Sequence, residues 1–344
     1  MSDTKLLDHP ECGSTQSTES HLEHFIIAKD SSRHLAFPDV CQLRSKELLV
    51  VYREGAKHVD SSGRIMLVRG NTMGSGLKFQ DPEVVCDTDW DDRDPSVVEL
   101  SNGTILINFF RLNLETGQIR LSVISSSDAG HSWGSMRTIA FPRFSEGLAC
   151  SDAIVELPTG DLVMAVYGKA DDGQSGSYMI QSSDGGVTWP IIRPLAVSSA
   201  PIFEEPSLAL LPDGRLLAFL RSDNKGRGYV YHTISFDFGL TWSSPRKLTV
   251  WGYPQDILVM HDERLLVTYG YRQLPAGIRM CVLGPGSSLS IEEEAILRAD
   301  GDDGGELGYP SSVELDNGEV LTVYYFTDSN GGQPSIVATR YRLA

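Results

Sequence analysis

The chain has 344 residues, with 46 acidic against 29 basic side chains, for a formal charge of −17. Such a balance argues against nucleic acid and acidic membrane surfaces as partners, since both are held by clustered Lys and Arg. No run of 18 apolar residues provides a membrane-inserted helix.

In chain order, residues 1–23 come first. They are polar, are expected to be disordered, and lack the charged-then-apolar pattern of a secretory signal, so the expected location is cytoplasmic unless a signal was removed. Five cysteines, at 12, 41, 86, 150 and 281, are odd in number and lack metal-type spacing. They read as free thiols of a reducing compartment. Next, HFIIAKD from His24 is an isolated strand-like run. The chain ends in SIVATRYRLA with no strand after it, and pairing of residues near 24–29 with residues near 335–342 would hide both edges.

Between these ends one phrase recurs six times: an anchor, an apolar strand, a turn and a second strand. The copies are PDVCQLRSKELLVVYR from Pro38, PSVVELSNGTILINFFR from Pro95, DAIVELPTGDLVMAVYGK from Asp152, PSLALLPDGRLLAFLR from Pro206, PQDILVMHDERLLVTYGYR from Pro254 and PSSVELDNGEVLTVYYF from Pro310. Their anchors stand 57, 57, 54, 48 and 56 residues apart. A sustained period in this range indicates a radial array of small antiparallel sheets, none of which can bury both faces alone. Residues 24–344 are therefore expected to form one all-β domain, a six-bladed β-propeller with four-stranded blades.

Three units carry a second motif, S-x-D-x-G-x-x-W, at Ser126 to Trp133, Ser182 to Trp189 and Ser235 to Trp242. Asp accepts backbone bonds inside the turn, Gly takes the left-handed conformation and Trp folds back over the hairpin. This repeated spacing resembles the Asp-box (BNR repeat) of the sialidase superfamily. The motif stabilises a turn and carries no catalysis.

A propeller gathers its functional side chains where the innermost strands meet one mouth of the axial channel. The anchors deliver Asp39, Arg93, Asp94, Ser151, Asp152, Glu204, Glu205, Gln255, Asp256 and Tyr309 there, and Arg53 closes the first repeat phrase. The competing reading is that single Asp residues here bond strand-end amides. The sialidase resemblance implies roles for several residues. Tyr309 matches the nucleophile, Glu205 the residue that activates it, and Arg221 and Arg279 two of three arginines that clamp a sugar carboxylate. Arg fits such a carboxylate bidentately, and a phenol approaches it without the repulsion a carboxylate nucleophile would suffer.

Two departures stand out. Ala36-Phe37-Pro38 replaces the phrase that would carry the first arginine, with Arg93 or Arg33 as possible substitutes. The acid/base Asp is replaced by His58, with Asp60 the weaker candidate. An imidazole can protonate a leaving group or abstract a proton from carbon. Glu306, three residues before Tyr309, is placed to contact substrate or tune the phenol. The expected activity is a sialidase-like glycosidase using Tyr309, Glu205 and His58. Arg221, Arg279, Arg93, Arg53, Asp94, Asp152, Asp256 and Glu306 are then the substrate contacts. The alternatives are a uronate-directed lyase using His58 and Tyr309, and a noncatalytic glycan-binding propeller. A glycan or small sugar is the expected partner, and no cofactor is expected. The acidic loops DTDWDDRDP and DGDDGGELGYP lack complete EF-hand spacing and read as solvated loops, so no metal is expected either.

Overall fold

The computed structural model describes residues 22–73, 76–223, 228–284, 289–302 and 305–343. Residues 1–21, most of the segment expected to be disordered, and Cys12 within it, lie outside the described residues; Glu23 already begins a strand. Six antiparallel sheets follow one another as the blades of a propeller, and no helix occurs among the described residues. The innermost strands are His34–Gln42, Asp91–Glu99, Val155–Glu156, Ile202–Leu210, Gln255–Val259 and Leu307–Glu314. In the first blade the outer edge is split, because Gly76–Phe79 and Glu83–Cys86 both pair with Arg64–Met73. The four described cysteines are free thiols.

The ring closes as the sequence predicts. Glu23–Ala28 pairs antiparallel with Ser335–Tyr341, from Glu23 opposite Arg340 to Ala28 opposite Ile336, and becomes the outer strand of the last blade. Arg340 ion-pairs with Glu23 across this junction. Apolar side chains of the first and last blades then share one core, with Leu35, Val50, Val323 and Ile336 essentially inaccessible. Burial of this kind contributes on the order of 25 cal/mol per Å² of apolar surface.

In each blade the first hairpin turns at the end away from the mouth. Gly103, Gly160, Gly214 and Gly318 hold it with φ between 74° and 86°, and Lys46 and Glu263 take the same left-handed conformation in the two blades without that glycine. The Asp-boxes lie at the same end. In each, the Ser hydroxyl donates to the Asp carboxylate and accepts the Gly amide, while the carboxylate also accepts the amide and hydroxyl of the residue before Trp. Trp133, Trp189 and Trp242 pack into clusters shared with the preceding blade. The motif therefore ties these three blades to the ones before them.

Candidate active site

At the mouth, four innermost strands carry the same irregularity. Pairing slips by one step between Ala36 and Asp39, Arg93 and Ser96, Glu204 and Ser207, and Gly308 and Ser311. At each slip the residue before proline adopts a left-handed backbone: Phe37 at φ 56°, Asp94 at 47°, Glu205 at 43° and Tyr309 at 48°. Such conformations are uncommon for residues with a Cβ and persist where surrounding structure imposes them. A bulge re-aims its side chain. Here four bulges direct Phe37, Asp94, Glu205 and Tyr309 toward one mouth. Tyr309 and Glu205 thus sit inside their strands, at the bulge.

The Tyr309 hydroxyl donates to Glu205 Oε1 at 2.5 Å, and Arg221 Nη1 donates to Glu205 Oε2 at 2.7 Å. Enclosure pushes the phenol well above its ordinary pKa, and the negative charges of Glu205 and Asp94 push it further. It is therefore a neutral phenol at physiological pH, and Glu205 is the hydrogen-bond acceptor for its proton. Burial works against the Arg221 charge, but Glu205 and Tyr309 reverse this and hold the guanidinium above its usual pKa. The Phe37 ring stands 4.7 Å from Tyr309 and 5.3 Å from His58, measured between centroids.

The second guanidinium at this site is one the sequence reading missed. Arg272 stacks on Tyr253 at 5.0 Å, the same ring that Arg221 approaches at 4.6 Å, and donates to the Leu307 carbonyl and the Tyr325 hydroxyl. Arg279, assigned to the clamp from its spacing, instead stacks on Tyr271 at 3.4 Å in the third strand of its blade, and the structure does not bring it to Tyr309 or Glu205. The signal for Arg272 was internal: it ends the fifth repeat phrase as Arg221 ends the fourth.

Arg53 and Arg93 hold a loop. Arg53 is fully buried and donates to Asp91 Oδ1 at 2.7 Å and to the Lys57 carbonyl. Arg93 donates to Asp91 Oδ2 at 2.9 Å and to the His58 carbonyl at 2.7 Å. Together with Asp91 they fix the segment that presents His58. Arg33 is engaged by Glu54, and Ala36 is buried, so neither supplies the absent first arginine. Asp60 binds the amide and hydroxyl of Ser62 and so closes the loop turn.

His58 is exposed, and its Nδ1 lies 3.3 Å from Glu306 Oε2; the Nε2 of buried His34 lies 3.0 Å from the same oxygen. These contacts to His34 and then His58 hold the Glu306 carboxyl well below the usual carboxylate range. An ionised carboxylate only accepts hydrogen bonds, so both contacting nitrogens carry protons. That leaves His58 Nε2 for proton transfer. His34 was not singled out from the sequence, since it precedes the first anchor phrase and matches no repeat position.

Asp152 and Asp256 were expected to touch substrate, yet both act between blades. Asp39 Oδ2 accepts the Val97 amide at 2.6 Å, and Asp152 Oδ2 accepts the Leu208 amide at 2.6 Å. Asp256 likewise accepts the Ser312 amide, so each odd blade is stapled to the next even one. Burial raises Asp39 to about 7, Asp152 to about 6 and Asp256 well above the ordinary range, the Asp256 shift being reinforced by Asp152 and Asp39. Asp94 is buried between Arg93 and Glu205 and is raised to about 7, mainly by desolvation. These four carboxyls, with Gln255 and Tyr309, line the axial cavity.

Comparison with known proteins supports this architecture. The structure matches a protein of unknown function from Dyadobacter fermentans at 25% identity and a TM-score of 0.83, covering 94% of this chain and 98% of that one. A Hadza microbial sialidase, Hz136, superimposes with a TM-score of 0.70 at 16% identity, covering 90% of this chain and 66% of that one. The NanB sialidase of Streptococcus pneumoniae gives 0.69 at 14% identity, covering 92% and 69%. At these identities the two sialidases show a shared fold. No curated protein matches the chain. The model of the BNR repeat-like domain matches residues 94–323, and the chain belongs to that family.

Proposed function

We propose that this protein cleaves a terminal glycosidic bond of an acidic sugar. The observation that carries the reading is the 2.5 Å contact between the Tyr309 hydroxyl and Glu205, with Arg221 on the far carboxylate oxygen. Arg221 and Arg272, both packed against Tyr253, are the groups for the sugar carboxylate. The Tyr309 oxygen attacks the anomeric carbon while Glu205 takes the phenol proton. The bond to the leaving oxygen breaks, and that oxygen takes the proton from His58 Nε2. Water, deprotonated by His58, then attacks the same carbon, and the tyrosyl oxygen departs with the proton held by Glu205. The enzyme returns to its starting state.

A second reading is favoured by one specific feature, the imidazole and absent arginine where the resemblance implies a carboxylate and a cation. His58 would remove the proton beside a uronate carboxylate, and Tyr309 would protonate the departing oxygen. The product distinguishes the two. Wild-type protein with sialosides and with uronic-acid oligosaccharides is expected to release free acidic sugar without new ultraviolet absorbance. An unsaturated, ultraviolet-absorbing product would replace the hydrolytic reading with the eliminative one, and binding without turnover would remove both.

A further inference from the structure

Three side chains with metal-ligand chemistry meet at the seam between the first and last blades. His34 comes from the innermost strand of the first blade, His58 from the loop after Leu48–Gly55, and Glu306 from the residue preceding Leu307–Glu314. Their ligating atoms all lie within 4.8 Å of one another. The two nitrogen-to-oxygen distances, 3.0 and 3.3 Å, are close to the edge of a tetrahedral zinc shell, which is about 3.3 Å for ligands at roughly 2.0–2.1 Å.

The donor set selects the ion. Two imidazoles and one carboxylate suit zinc and its neighbours, whereas calcium and magnesium take oxygen. Accessibility also fits. The His34 side chain is 6% exposed and forms a fixed wall, while His58 and Glu306 are 45% and 39% exposed and leave a side for water. Three protein ligands with one open position is the pattern of an accessible zinc site. The His34 Nδ1 atom is buried without a hydrogen-bond partner. A second-shell acceptor there would raise affinity by about 10–100-fold, so binding without one is expected to be moderate and reversible.

We infer that His34, His58 and Glu306 form a binding site for a divalent transition metal of the zinc type. On binding, the ion displaces the protons from His34 Nε2 and His58 Nδ1 and takes those lone pairs. A His58 so engaged no longer cycles a proton at Nε2, so occupancy inhibits turnover. This consequence rests on the acid role proposed for His58, whereas the binding itself does not.

Zinc chloride titrated calorimetrically into full-length protein bearing no histidine tag tests the site. One equivalent is expected to bind, with affinity reduced at least tenfold in His58→Ala and unchanged in His261→Ala, a control at an exposed His outside the mouth. Cobalt(II) is expected to give the visible absorption of a tetrahedral complex in wild type and not in Glu306→Gln. Absence of one-equivalent binding, or equal affinity in His58→Ala, would overturn the site. Binding accompanied by unchanged or faster sugar turnover would overturn the inhibitory consequence and the acid role of His58, leaving the metal site standing.

Discussion

Asp128, Asp184 and Asp237 in the outer turns, and Asp39, Asp94, Asp152 and Asp256 around the axis, come from one repeat and end in opposite electrostatic surroundings. Each outer carboxylate is in solvent and receives hydroxyl and amide donors from its own turn, with the hydroxyl bonds foremost in holding it below its ordinary pKa; Asp184 falls to about 2. The axial carboxyls are desolvated beside one another and rise to about 6 or 7, or further. Two of their oxygens, Asp94 Oδ1 and Asp256 Oδ2, are buried without a hydrogen-bond partner. The outer end of each blade is built for stability, whereas the axial end tolerates strain and unsatisfied charge, as functional sites do.

Substitutions at the two ends should separate these properties. The largest effect is expected for Glu205→Gln, which removes the acceptor for the Tyr309 proton: turnover falls by about 10²–10⁴-fold with the melting temperature retained. Loss of fold instead would place Glu205 with the outer aspartates. Next in size, Arg272→Ala is expected to weaken an acidic sugar by about 10–100-fold while affecting its neutral ester little. Arg279→Ala should leave that ratio unchanged, and equal losses for both ligands in Arg272→Ala would make Arg272 structural.

At the outer end, Asp237→Ala should lower the melting temperature by a few degrees with turnover unchanged. The bonds it loses to Ser235 and Thr241 hold the turn. The smallest effect is expected for Asp152→Asn, whose amide oxygen still accepts the Leu208 amide. A raised folded-state pKa means that ionisation costs stability as pH climbs from about 4, where the unfolded carboxyl titrates, through about 6. Asp152→Asn should therefore melt about 1–3 °C above wild type at pH 8, with the gap narrowing through pH 5 and closing near pH 4. The outer aspartates act with the opposite sign: their contribution is present above about pH 4 and is lost as pH falls toward 2. Wild-type stability should peak in mild acid, and a melting temperature still rising between pH 6 and pH 8 would contradict this electrostatic contrast.

Much of the fold was legible because the repeat is redundant. Six copies of the strand-turn-strand phrase and three Asp-boxes each indicate the same blade, and the leftover strands at His24 and Ser335 had only each other to pair with. Candidate site residues that sit on anchors, Glu205 and Tyr309, are the ones the structure brings together. What the sequence concealed is the bulge: of the four, only Asp is at all enriched in a left-handed backbone, and Phe, Glu and Tyr are not, so the shared conformation comes from tertiary packing. Arg53 and Arg93 were read as substrate groups because sequence shows charge but not pairing: Asp91, next but one to Arg93 and in a different blade from Arg53, neutralises both. Asp152 and Asp256 were misread for a related reason, since a strand-end Asp that bonds a neighbouring blade looks the same in sequence as one that faces a sugar.

The most direct test of the site is a covalent trap. A fluorinated acidic sugar with a good leaving group, which slows breakdown of the sugar–enzyme bond, is incubated with wild type and with Tyr309→Phe, and each protein is digested for mass spectrometry. With Tyr309 as nucleophile, the sugar mass should appear on the wild-type peptide containing Tyr309 and be absent from the Phe variant, which should retain ground-state binding. An unmodified Tyr309 peptide in wild-type protein that is turning over substrate, or full activity in Tyr309→Phe, would contradict that role.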